Sequence, residues 1–235
     1  MAEKMQNKLK IAFAGVFVAV EIILYALFMA EDFGGADVGQ NVWLKYATVV
    51  LAFAFSLVFF AFCQRDKRAL FDAMLLSLGL ACTLIADLML LVLEEHFVVG
   101  VIAFIAAQLC YFARVRRTKV WLATSIALRT LLPVVIIIVL ASMGELNVLY
   151  ALVAIYFVQL VMNFFENVAS AIMAKDRAER IKAIVLSVGF LLFIGCDISV
   201  GLMNVFDGMA WEYIWLFYTP SQVLIGLSNG RLYEK

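Results

Sequence analysis

Between Leu9 and Asn229 the chain alternates long apolar runs with short polar knots. The runs are roughly 18 to 25 residues long, the length a helix needs to cross a hydrocarbon core. Eight spans are predicted, over 9–29, 42–62, 70–93, 97–113, 120–141, 147–173, 181–206 and 211–229. The knots leave no room for a linker or a second domain. The pattern therefore predicts an all-α polytopic membrane protein, one transmembrane domain over 1–235. Pro133 falls in the fifth span and Pro220 in the eighth, where a missing N–H frees backbone groups that other helices must satisfy.

Composition agrees with this pattern. The chain is 66% hydrophobic and 15% charged, with a mean hydropathy of +1.03. A soluble domain is about half apolar and a quarter charged, so lipid is the expected solvent. The net charge is zero and gives no reason to expect a nucleic-acid partner. The first run has a basic start, but Glu21 interrupts it and no A-x-A site follows, so it reads as a retained span and not a leader.

Charge also orients the spans. Lys4, Lys8, Lys10, Arg65, Lys67, Arg68, Arg114, Arg116, Arg117, Lys119, Lys175, Arg177, Arg180, Lys182, Arg231 and Lys235 all fall in one set of connections and ends. The alternate set holds Glu31, Asp32, Asp37, Glu94, Glu95, Glu145, Asp207 and Glu212, without a lysine or arginine. The positive-inside rule then expects a cell membrane protein with both termini cytoplasmic. Cys63, Cys82, Cys110 and Cys196 lie far apart in apolar segments, and His96 sits at a span edge beside Glu94 and Glu95. Neither pattern has metal-ligand or disulfide spacing, so no metal or other cofactor is expected.

Two stretches align without a gap: LSLGLACTLIAD at 76–87 and LSVGFLLFIGCD at 186–197. Leu76, Ser77, Gly79 and Asp87 match Leu186, Ser187, Gly189 and Asp197. Both stretches lie in spans that start on the basic side, and each is followed one span later by an intramembrane glutamine, Gln108 or Gln222. This predicts two parallel four-helix repeats, 1–118 and 119–235, about an axis along the membrane normal. At 1.5 Å per residue, one polar layer in the outer half would hold Asp87, Asp197, Gln108, Gln222, Tyr156, Tyr218 and Lys45, with Glu21 at its inner edge. Arg129, Asn163, Glu166 and Asn167 form a deeper set. Ionisable groups inside a membrane face the bundle interior and mark function. A structural pairing of Lys45 with Asp87, or of Arg129 with Glu166, is the competing account. Asp72 and Lys45 near span ends are also placed to snorkel. Trp43, Trp121, Trp211 and Trp215 lie near span edges and read as an interfacial belt.

The sequence resembles the YhhN family of membrane proteins, whose characterised members are lysoplasmalogenases. Lys45 in LKYATVVL, Asp87 in IADLML, and Phe97, Gly100, Phe104, Gln108 and Tyr111 carry the likeness in spans two to four. Tyr156, Met162, Asp197, Asn204, Phe206, Tyr218, Ser221, Gln222 and Ile225 continue it. The chain departs from the family pattern at Tyr46, where proline is usual, at Ala86, for glycine, and at Gln108, for histidine. The resemblance implies eight spans and hydrolysis of the vinyl ether bond of a lysoplasmalogen, giving a fatty aldehyde and a glycerophospho-alcohol. Asp87 and Asp197 would be catalytic. Lys45, Gln108, Tyr111, Tyr156, Tyr218 and Gln222 would bind the lysophospholipid, which enters from the surrounding membrane lipids.

The chemistry suits two carboxyl groups. One proton must reach the β-carbon of the vinyl ether, an anion must steady the resulting cation, and water must be held. A carboxylic acid beside a carboxylate meets these demands, as in glycosidases. The residues do not say which aspartate is the acid. A transporter, with its repeats and mid-membrane acids, and a non-catalytic lipid-binding or sensor protein remain as alternatives.

Overall fold

The computed structural model describes residues 2–34, 41–62, 67–203, 212–229 and 232–233. Among them are eight α-helices: α1 (Ala2–Phe33), α2 (Val42–Phe62), α3 (Lys67–Asp87), α4 (Phe97–Arg114), α5 (Lys119–Ser142), α6 (Val148–Met173), α7 (Arg177–Met203) and α8 (Glu212–Leu227). Cys63, Arg65, Asp37, Asn204, Phe206, Asp207, Trp211, Arg231 and Lys235 lie outside the described residues. Seven helices, α1 to α7, are long and apolar enough to cross a membrane. The eighth span was expected at 211–229; the described α8 has 16 residues, fewer than the roughly 20 that crossing usually takes. The chain is a multi-pass membrane protein of all-helical architecture.

Helices α5 and α6 start where side chains replace missing intrahelical acceptors. Thr118 accepts from the Trp121 N–H at 3.2 Å, and Asn147 from the Tyr150 N–H at 2.8 Å, which caps α5 and α6. The third span differs from expectation. It is not one α-helix over 70–93; α3 ends at Asp87 and a π-helical turn, Leu88–Val92, follows. Such turns carry one residue more than an α-helix and occur often at functional sites. Gly100 of α4 lets the turn approach closely, since a Cβ there would lie 2.6 Å from Leu90 Cγ.

Six helices form a ring in which α2 packs on α3, α3 on α4, α4 on α6, α6 on α7, α7 on α8, and α8 on α2. Helix α1 lies against α2 and α8, and α5 chiefly against α6. These two flanking helices each bury only 17% of their most apolar window, against 33–44% for the membrane-length ring helices, so most of their surface is left to lipid. The core runs along the ring interior through Leu76, Leu80, Ala107, Tyr111, Leu160, Leu186, Phe190 and Phe193.

Both prolines sit inside continuous helices. Pro133 leaves the Arg129 carbonyl without its N–H; Gln159 Nε2 of α6 donates to it at 3.4 Å. Pro220 does the same to Leu216, and the Tyr25 hydroxyl of α1 donates to that carbonyl at 3.4 Å. The freed backbone groups are thus met by neighbouring helices, as lipid requires.

Gly79 sets the approach of α3 to α4. A Cβ there would lie 2.5 Å from Cε1 of Tyr111, a fully buried ring. Gly79→Ala should destabilise the protein by about 1–3 kcal/mol through overpacking. Gly201→Ala, with open space around it, should not destabilise it; thermal unfolding of the two variants in detergent measures the contrast.

Candidate functional site

Asp87 is the last residue of α3 and is buried. The Tyr218 hydroxyl, from α8, donates to Asp87 Oδ2 at 2.6 Å. Asp197 lies on α7, half-buried. The Tyr156 hydroxyl of α6 faces it, and Asp197 Oδ2 has no partner among the described residues. Tyr156 and Cys196 lie within electrostatic reach of both carboxyl groups. Four helices therefore bring Asp87, Asp197, Tyr156 and Tyr218 into one region. Phe193, one turn before Asp197, forms its floor, with ring centroids 5.4 Å from Tyr218 and 6.4 Å from Tyr156.

Lys45 is placed differently from expectation. It pairs with neither Asp87 nor the interface; it is fully buried, and its Nζ donates to Asp32 Oδ1 at 2.9 Å. The ammonium also lies 5.3 Å from the Trp215 ring centroid and 5.7 Å from that of Phe28, within cation–π range. Trp215 is correspondingly no interfacial belt residue. It is buried, and its ring meets Tyr218 edge-on at 5.6 Å. Lys45 thus reaches the carboxyl region through one aromatic ring.

The two glutamines do not share the expected layer. Asn163 Nδ2 donates to Gln108 O at 2.9 Å and to Gln108 Oε1 at 2.8 Å, which ties Gln108 to the deeper polar set. There Arg129 donates to Asn163 Oδ1, Gln159 Oε1 and Glu166 Oε2, at 2.8, 2.7 and 3.0 Å. Arg117 and Ser125 also bond to Glu166. A buried cation met by five oxygen or amide partners reads as the brace that holds α4, α5 and α6 together. Tyr111 packs over Gly79, eight residues before Asp87 on α3, about 12 Å away along the axis, so it is not brought to the carboxyl groups. Gln222 lies one turn beyond Tyr218 on α8, about 6 Å deeper. It is buried with both side-chain polar atoms unpartnered, as are both carboxyl oxygens of Glu21. Asp72 does not snorkel; it accepts from Arg114 at 3.1 Å and Lys182 at 2.6 Å.

Sequence reasoning missed Asp32, Tyr46 and Phe193 as parts of this region. Tyr46 lies within electrostatic reach of Asp87, and its hydroxyl donates to Leu84 O at 3.4 Å. Its departure from the family pattern was the available signal. Among the described residues no three His, Cys, Asp or Glu side chains gather as metal ligands would. The region offers two carboxyl groups, each with a tyrosine hydroxyl facing it, in a largely apolar setting.

The family model of the YhhN family matches residues 40–229. The chain belongs to the YhhN family. No curated protein and no solved structure matches it. Helix α1, with Asp32 and Glu21, lies before the matched part, yet it supplies the partner of Lys45.

The Lys45–Asp32 pair yields a stability test. Lys45→Met strands a buried carboxylate and should cost about 3–5 kcal/mol. Adding Asp32→Leu should restore most of that loss, read by unfolding of single and double variants in detergent.

Proposed function

We propose that this YhhN family member hydrolyses the vinyl ether bond of a lysoplasmalogen, an alkenyl glycerophosphoethanolamine or glycerophosphocholine, through Asp87 and Asp197. The observation that carries the reading is the convergence of the two aspartates with Tyr218 and Tyr156 from four helices. Membership of the family supports the substrate class.

The reaction needs one carboxylate and one carboxylic acid. Asp87, which accepts a hydrogen bond from the Tyr218 hydroxyl at 2.6 Å, is assigned as the carboxylate. Asp197, which the Tyr156 hydroxyl faces, is assigned as the acid. Asp197 gives its proton to the β-carbon, and the double-bond electrons form the new C–H bond. The oxocarbenium ion that results is held beside the Asp87 carboxylate. Water adds to the cationic carbon while Asp87 takes one of its protons. Asp87 then protonates the ether oxygen as the hemiacetal C–O bond breaks, and the hemiacetal hydroxyl proton returns to Asp197. Water is consumed, aldehyde and alcohol leave, and both carboxyl groups regain their starting states.

The two halves also read as four-helix repeats. In support, Gly79 faces Tyr111 as Gly189 faces Ile225, and Tyr46 neighbours Asp87 as Tyr156 neighbours Asp197. The residue pairs Gly79/Gly189, Asp87/Asp197 and Tyr46/Tyr156 share one 110-residue offset. The charge sorting supports a cell membrane location with both termini cytoplasmic. An alkaline phosphatase fused after Lys235 should then stay inactive in cells; an active fusion would reverse the orientation.

Aldehyde release from lysoplasmenylethanolamine by purified protein tests the reaction. Asp87→Asn and Asp197→Asn should each lower it by about 10²–10⁴-fold, and Tyr218→Phe by about tenfold, with folding retained. A native protein that binds the lipid and releases no aldehyde would sink the enzymatic reading.

A further inference from the structure

At the opposite end of the bundle from Asp87 and Asp197 lies a cavity of about 330 Å³ between the end of α4, the α4–α5 connection, the end of α6 and the start of α7. Four cations line it: Arg114, Arg116, Lys175 and Lys182. The lining acids are already engaged. Asp176 Oδ2 accepts from the Glu179 N–H at 3.0 Å and caps α7, while Glu179 pairs with Arg116 at 3.2 Å across exposed surface. Such an exposed pair is weak and leaves much of the Arg116 guanidinium free. Lys175 is exposed and has no ion pair with a described acid. Arg114 and Lys182 share Asp72 at the inner wall. Including Asp72, the surroundings carry four positive and three negative charges, with the two outermost cations least neutralised.

The remaining walls are mainly apolar, with Asn167 and Ser170 among them. Met173, Leu186 and the Trp121 ring line the cavity. Of these, Met173 is itself 57% exposed, and Val120, next to Trp121 in sequence, is 77% exposed. A cationic recess that opens beside an apolar helix face fits a molecule with an anionic head and an acyl chain better than a soluble anion. Basic pockets between helix ends hold phospholipid head groups by the same logic. The cavity is not part of the carboxyl region: Asp72 and Lys182 each precede their helix's aspartate by 15 residues, about 22 Å of helix.

We propose that this cavity is a binding site for the phosphate group of an anionic phospholipid, with Arg116 and Lys175 as its outer ligands, Arg114 and Lys182 behind them, and a chain leaving past Met173 and the Trp121 ring. The site stands independently of the hydrolytic reading. It joins α3, α4 and α7 through Asp72, the base of the helices that carry both aspartates.

Quenching of Trp121 by phospholipids brominated on the acyl chain tests this in reconstituted vesicles. The Trp121→Phe variant identifies the part of the signal that belongs to the cavity. Brominated phosphatidylglycerol should bind there about tenfold more tightly than brominated phosphatidylcholine. The double variant Arg116→Gln, Lys175→Gln should lose that preference, and Lys119→Gln, exposed on the same face but outside the lining, should keep it. A preference that survives the double variant, or falls equally in Lys119→Gln, overturns the site in favour of general surface charge. Displacement of the lipid by free glycerol phosphate at comparable concentration overturns the lipid as its ligand.

Discussion

Hydrocarbon offers no hydrogen bonds, so the polar groups carried into the spans that bond across helices commit a second helix to its place. The structure is organised by that constraint. Lys45 fixes α2 to the end of α1 through Asp32. Arg129 and Glu166 fix α5 to α6, and Asn163 extends the same network to α4. Tyr218 fixes α8 to α3 through Asp87. Even the two prolines act this way, since the carbonyls they release draw in Gln159 and Tyr25. Apolar packing fills the space between these ties, but lipid tails are as apolar as leucine, so packing alone would specify the arrangement poorly.

The carboxyl region and the arginine brace illustrate two uses of the same material. Around Arg129 the donors and acceptors are matched: the guanidinium meets Ser125, Gln159, Asn163 and Glu166. A network so densely bonded rigidifies the helices that it joins. Around Asp197 and Gln222, buried oxygens and nitrogens lack partners. Unmatched polar groups are costly and make sense where something else is to be bound. The contrast directs attention to the ring interior between α3, α6, α7 and α8.

Much of this was legible in the sequence. The lengths of the apolar runs gave most helix bounds to within about four residues, though α1 begins seven residues before its predicted span, and the family followed from short motifs in fixed order. Asp87, Asp197, Tyr156 and Tyr218 were singled out because a carboxylate or a phenol among leucines stands out. What stayed hidden has a physical cause. In a soluble helix the apolar stripe marks the buried face; in lipid the outer face is apolar too, so only polar residues report the inside. Trp215 could therefore pass for a belt residue, being aromatic and near a span edge. Asp32 stood beside Glu31 in a stretch expected outside the membrane, with nothing to say which acid turns inward. Gln108 and Gln222 each followed their aspartate by one span but met different neighbours, because Asn163 claims the first. No residue type announces a π turn, and the one after Asp87 left no trace in the pattern.

That turn separates the two ends of the third span. One added residue rotates everything beyond it by about 100° relative to a continuous α-helix. The inner part of α3, from Asp72 through Gly79 to Asp87, is aimed by its contacts with Arg114, Tyr111 and Tyr218. The outer part is aimed separately by Leu90 against Gly100. The surplus residue decouples the two: the approach to Glu94, Glu95 and His96 is set by Leu90 against Gly100, and the bearing of the Asp87 carboxyl group by Tyr218.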